Sequence, residues 1–192
     1  MSERFPIRRI ITDAVLIALF FALSLLSIEL PGVRLSFSSL AIVVGAMAFG
    51  PLDGFLVGFL GELLAQMLKY GFTATTVLWL LPAALRGLTI GLGARLFRKQ
   101  MAVAQLRSRS GIYFAVCLAA AVITSAVNTV VYYMDARLYG YYTYALIFGA
   151  ALTRLFTNLL NSALTAALAI PVLLALRRAR LISAATENED AP

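Results

Sequence analysis

Polar and ionisable residues recur at helical spacing inside apolar runs long enough to cross a lipid bilayer, and that combination leaves this chain few ways to fold. Such runs lie at about 8–28, 52–69, 74–97, 111–134 and 146–177. Each covers about 30 Å of hydrocarbon at about 1.5 Å per residue. A sixth, about 38–50, is short. It crosses only with little tilt, with local thinning of the bilayer, or shielded inside the bundle. The expectation is an all-α fold: one integral membrane bundle of six transmembrane helices filling residues 1–182, followed by a disordered polar tail at 183–192 that carries Glu187, Glu189 and Asp190.

Composition agrees: the chain is 61% hydrophobic and 13% charged, with a mean hydropathy of +0.90, far from a soluble domain. One cysteine, Cys117, and no histidine exclude a disulfide framework and remove the commonest general base and metal ligand. The net charge of +7 does not mark a nucleic-acid binder, because the basic residues sit at the ends of apolar spans. Arg4, Arg8, Arg9, the 95–109 cluster and the 177–180 cluster fall on one side of a six-span arrangement, and Arg34, Lys69 and Arg137 on the other. That imbalance places both termini in the cytoplasm. Met1 to Arg9 resembles the charged start of a signal peptide, but no small-residue cleavage site follows it, so it is read as a retained first helix.

Within the spans, small and polar residues form stripes. Ala14, Ala18 and Ala22 line one face of the first helix, and Gly54, Gly58 and Gly61 one face of the third; such stripes let helices approach closely in lipid. Glu62 and Gln66 lie four apart beside the glycines. The fourth helix carries Trp79, passes Pro82, which should kink it, and reaches Arg86 on the face of Trp79. Arg86 has three readings: a site residue, an intramembrane ion pair with Asp13 or Asp53, or part of a coupling surface. Ser125, Asn128 and Tyr132 share a face of the fifth helix, and Arg154, Asn158, Asn161 and Thr165 form the sharpest polar stripe, on the sixth. Lipid cannot solvate these groups, so they face protein or a wet cavity.

Counted inward from the outer helix ends, Glu62, Trp79, Asn128 and Arg154 all fall roughly 9 to 12 Å deep at helical rise. Four helices presenting polar or aromatic groups at one depth imply a binding pocket, roofed by the 29–39 loop and the tyrosine-rich 135–145 loop. Arg34, Glu62, Gln66, Trp79, Asn128, Tyr132, Arg154, Asn158 and Asn161 are its candidate residues. Arg154 would pair with a ligand carboxylate or phosphate, the amides would read ring edges, and Trp79 would stack. Catalytic motifs are absent: no HExxH, P-loop, GxSxG or histidine triad occurs. The chain is read as a binding protein, not an enzyme, with no cofactor and no metal.

The stretch RLSFSSLAIVVGAMAFGPLDGFLVGFLGELL from Arg34, the segment TTVLWLLPAALRGLTIGL and the AxxxA stripe of the first helix together resemble the substrate-binding S components of energy-coupling factor (ECF) vitamin transporters. Arg34-Leu35-Ser36-Phe37 and the Gly45 to Gly61 pattern are similar to the folate-type branch. The resemblance implies a protein of the bacterial plasma membrane that captures folate or a related small polar vitamin. It implies a transmembrane (T) subunit and two ATPases as partners, docking through Ala14 and Ala18 with Ala22 extending the stripe, and a gate at 34–39. Folate's two carboxylates would need cations, for which Arg34, Arg137 and Arg154 are the candidates. Two other classes fit the residues less fully: a structural membrane bundle, like a cell-shape factor, without a ligand, and an autonomous small-solute carrier.

Overall fold

The structure, a computed structural model, describes residues 7–30, 33–106, 110–144, 148–149 and 151–179. The tail at 183–192 lies outside these residues. Among the described residues six α-helices run in chain order: α1 Ile7–Leu25, α2 Ser39–Ala48, α3 Pro51–Tyr70, α4 Thr76–Leu96, α5 Ser110–Tyr139 and α6 Ala151–Arg178, with a 3-10 turn at Val103–Gln105 between α4 and α5. Two short strands, β1 Ile28–Leu30 and β2 Val33–Leu35, pair antiparallel between α1 and α2, with Glu29 opposite Arg34. The first loop is therefore opened by a hairpin, which the all-α expectation lacked.

Four helices, α3 to α6, are long and apolar enough to cross a membrane. In α1 the first turns carry Arg8, Arg9 and Asp13, which interrupt its apolar run. Helix α2 has only 10 residues, about 15 Å at helical rise, and the bundle shields it. Ala41, Ile42, Val43, Val44 and Ala46 are all buried, with α1, α3, α4 and α6 around them. A helix apolar on every side suits a protein interior or a lipid-facing span, and this one is enclosed by protein.

The turn from α2 to α3 depends on Gly50, whose φ of 112° favours glycine. Pro51 then opens α3 at a position where its missing N–H costs nothing. Arg9 ties α1 to this turn: its Nε donates to Asp53 Oδ1 at 2.7 Å, a terminal nitrogen pairs with Asp53 Oδ2, and the same nitrogen reaches the Phe49 carbonyl at 3.3 Å. Asp53 is thus the partner of Arg9, not of Arg86.

The glycine stripe of α3 serves three neighbours, the first being α2, whose Ala46 Cβ stands 2.6 Å from where a Cβ on Gly54 would be. A Cβ on Gly54 would stand 2.8 Å from the Gly87 carbonyl, and one on Gly58 2.4 Å from that of Ala83, so this half of α3 touches the backbone of α4. Gly61 instead admits the ring of Phe20 from α1, 2.5 Å from where a Cβ would be. Helix α4 stays helical through Pro82. Helix α5 runs to Tyr139, past the expected end near 134, so Asp135 and Arg137 are helical and not loop residues. Tyr113 Oη donates to the Ala166 carbonyl at 2.9 Å and Ser162 Oγ to the Cys117 carbonyl at 2.8 Å, joining α5 to α6.

Large apolar side chains point outward, as lipid allows. Leu52, Leu56, Leu60 and Leu64 form an exposed row on α3, and Leu152, Phe156, Leu160, Leu164 and Leu168 another on α6. Gly87 tests the packing. A Cβ there would stand 2.0 Å from the Gly54 carbonyl oxygen, so Gly87→Ala is expected to force α3 and α4 apart, at about 1–3 kcal/mol or more, and to lower the melting midpoint in detergent. Gly111→Ala, with nothing within 4 Å, is the control that leaves the midpoint unchanged.

Candidate functional site

One cavity of about 890 Å³ lies among the helices, within the range of small-molecule sites. Helix α1 contributes Phe20 and Ser24, and Ser36 and Ser38 follow the hairpin. Helix α2 adds Ser39 and Ile42, and α3 adds Glu62, Gln66 and Lys69. Trp79, Pro82 and Arg86 come from α4, Thr124, Asn128, Tyr132 and Asp135 from α5, and Arg154, Thr157, Asn158 and Asn161 from α6.

Eight of the nine candidate residues therefore share one cavity: Glu62, Gln66, Trp79, Asn128, Tyr132, Arg154, Asn158 and Asn161. Arg34 lies in β2, and its side chain is outside the described residues. Arg137 stands apart. Its guanidinium packs on the rings of Tyr142 and Tyr133, at 4.5 and 5.5 Å, and none of the three lines the cavity.

Two levels can be distinguished along the helix axes. At the hairpin end, Trp79 meets the edge of Tyr132 at 5.4 Å between ring centroids, and Arg154 lies 4.9 Å over the Tyr132 ring. The Trp79 indole donates to Asp135 Oδ1 at 3.4 Å, and Tyr141 Oη donates to Asp135 Oδ2. Removal from water and the Asp135 carboxylate together hold the Tyr141 hydroxyl above the ordinary phenol range. On the α3 wall, Gln66 Nε2 donates to Glu62 Oε1 at 2.9 Å, and Lys69 reaches the Ser24 carbonyl on α1 at 3.0 Å.

Arg86 dominates the other level, seven residues or about 10 Å further along α4. It is 6% exposed. Its Nε donates to Thr124 Oγ1 at 3.3 Å, one terminal nitrogen donates to Ser39 Oγ, and the other to Asn158 Oδ1 at 3.3 Å. Asn158 in turn donates to Ser125 Oγ at 3.2 Å. Arg86 lines the cavity, and neither Asp13 nor Asp53 is among its hydrogen-bond partners. Asp135 and Lys69 also line the cavity: the apolar run of the fifth span stops at 134, just short of Asp135, and Lys69 stands at the end of its span, where a charge is ordinary. Arg86's seven-residue spacing from Trp79 was the available signal.

The alanine stripe faces away from the bundle. Ala14, Ala18 and Ala22 are exposed, among the exposed side chains of Ile7, Ile11, Val15 and Leu25.

A cavity inside an apolar helical bundle, walled by guanidinium groups, carboxamides and aromatic rings, is the build of a membrane protein that holds a small polar solute. The model of one family, described as the S component of an ECF-type riboflavin transporter, matches residues 4–178, and the chain belongs to that family of substrate-binding S components. It is a multi-pass protein of the cell membrane. A UPF0397 protein of Streptococcus gordonii is 33% identical over 92 residues, 46% of this chain and 47% of that protein. One of Clostridium perfringens is 30% identical over 78 residues, 41% of each. The chain thus spans about half or less of the length of these relatives. A solved S component of a bacterial ECF transporter shares the fold, with a TM-score of 0.60 at 21% identity, covering 91% of this chain and 97% of that one.

Trp79 is the only tryptophan and so reports on the cavity wall. Asp135→Asn, which removes a charge beside the indole N–H, and Tyr132→Ala, which removes the ring against it, are each expected to shift its fluorescence maximum. Lys99→Ala, at an exposed turn after α4, is expected to leave it in place.

Proposed function

We propose that the protein captures a water-soluble vitamin in this cavity on the outer side of the membrane, for uptake driven by a T subunit and two ATPases. The observation that carries this reading is the convergence of polar and aromatic side chains from all six helices on one vitamin-sized space. A bundle whose polar stripes were only helix glue would close them on each other. Both termini in the cytoplasm, as the basic residues suggest, would put the hairpin end on the outside, with the 34–39 segment as its gate. The outward-facing Ala14, Ala18 and Ala22 supply a flat face on which another helix can lie closely, and the T subunit is the proposed occupant. Two vitamins come first: riboflavin, from the family's description, and folate, from the likeness of the 34–61 stretch.

Purified full-length protein is expected to bind one vitamin tightly without ATP. At 100-fold excess over the dissociation constant, that ligand stabilises the fold by about 2.7 kcal/mol, a readable thermal shift. Arg154→Ala should weaken binding roughly 30-fold or more; unchanged affinity would take Arg154 out of the site. No shift with any vitamin would favour a structural bundle.

Docking is tested separately. Ala14→Trp and Ala18→Trp are expected to spare vitamin binding and stop uptake in cells. Normal uptake with either variant would remove α1 from the docking surface.

A further inference from the structure

The family's description names a ligand without charge, yet the cavity holds an arginine that no acid among the described residues neutralises. Arg86 is 6% exposed, and its three hydrogen bonds go to the neutral oxygens of Thr124, Ser39 and Asn158. A guanidinium has five N–H donors. Three are engaged, which leaves one on each terminal nitrogen. Among the described residues no carboxylate pairs with Arg86. Asp53 pairs with Arg9, Asp135 accepts from Trp79 and Tyr141, and Glu62 accepts from Gln66.

The cavity wall carries Lys69, Arg86 and Arg154 against Glu62 and Asp135, three positive charges against two negative. A buried cation among neutral partners is costly in a low-dielectric interior, and an arriving anion removes that cost. The planar guanidinium matches a carboxylate or phosphate in particular, with two parallel bonds.

We propose that the solute carries an anionic group, a carboxylate or a phosphate, seated on Arg86, with a ring about 10 Å away against Trp79 and Tyr132. The distance follows from the seven helical residues between Trp79 and Arg86. This rests on the vitamin-binding reading above and narrows it to acidic solutes. Riboflavin, with a neutral ring system and hydroxyl groups only, leaves Arg86 without its counter-charge.

The test compares matched pairs on the purified full-length protein, with affinity read from Trp79 fluorescence and calorimetry. The pairs are riboflavin against riboflavin 5′-phosphate, folate against its dimethyl ester, and biotin against its methyl ester. In at least one pair the charged member is expected to bind roughly 30-fold tighter or more. The flavin pair reports a phosphate, the other two a carboxylate. Arg86→Gln should erase that preference, and Arg86→Lys should keep part of it. The charge preference is read on the wild type, so it stands even if Arg86→Gln does not fold. Tight binding of riboflavin or of an ester, equal to its charged counterpart, would overturn the anion site and leave vitamin capture intact. Binding of no compound, with no thermal shift from any other vitamin, would overturn both.

Discussion

The buried guanidinium of Arg86 is the group on which the arrangement of this bundle turns. Lipid offers nothing to solvate it, so its donors must find oxygen within the protein. They find it on three other helices: Ser39 at the start of α2, Thr124 on α5 and Asn158 on α6. One side chain thereby fixes the rotation of four helices about their axes. It also explains how a ten-residue helix is held at depth. The apolar sides of α2 are covered by its neighbours, while its polar first residue is bonded to the arginine.

The cavity begins where the small residues end. Along the shared face of α3 and α4, Gly54 meets Gly87, Gly91 meets Pro51, and Gly58 meets Ala83, all at backbone contact. One turn further, the α3 stripe turns toward Phe20 on α1, and the residues that follow are Glu62, Gln66 and Lys69 facing Trp79 and Pro82 across a space. The same two helices are therefore a packed joint in one half and two walls in the other. Glycine at the joint provides rigidity, since a backbone contact has no rotamers to yield. The proposed ligand site sits on that rigid base, while the hairpin and the Tyr141 contact to Asp135 lie at its other end.

Much of the cavity wall was legible because lipid makes polar residues conspicuous. Glu62, Trp79, Asn128 and Arg154 could be placed together by counting helical rise alone, and Asn158 and Asn161 followed from the period of α6. Errors arose wherever a partner had to be chosen. Asp53 was offered to Arg86 on charge and depth, but Arg9 reaches it first from α1. Asp135 falls in the tyrosine-rich 135–145 stretch that reads as a loop from sequence, whereas α5 continues to Tyr139 and makes Asp135 helical. The glycine row of α3 is a single stripe in the sequence, yet it meets three helices: Gly54 lies against Ala46 and Gly87, Gly58 against Ala83 and Gly61 against Phe20.

By itself, the sequence determined the class of protein, the number and order of its helices, and which side chains must avoid lipid. These follow from period and length, which are properties of a chain along its own axis. Only the tertiary structure decided that Arg86 is shared among neutral partners, that Asp135 joins the wall, that the cavity measures about 890 Å³ and that the alanine stripe faces outward. Those are distances between helices, set by which side chains are small enough to let backbones touch and by which charge arrives first at which acid. No spacing within one helix carries that information.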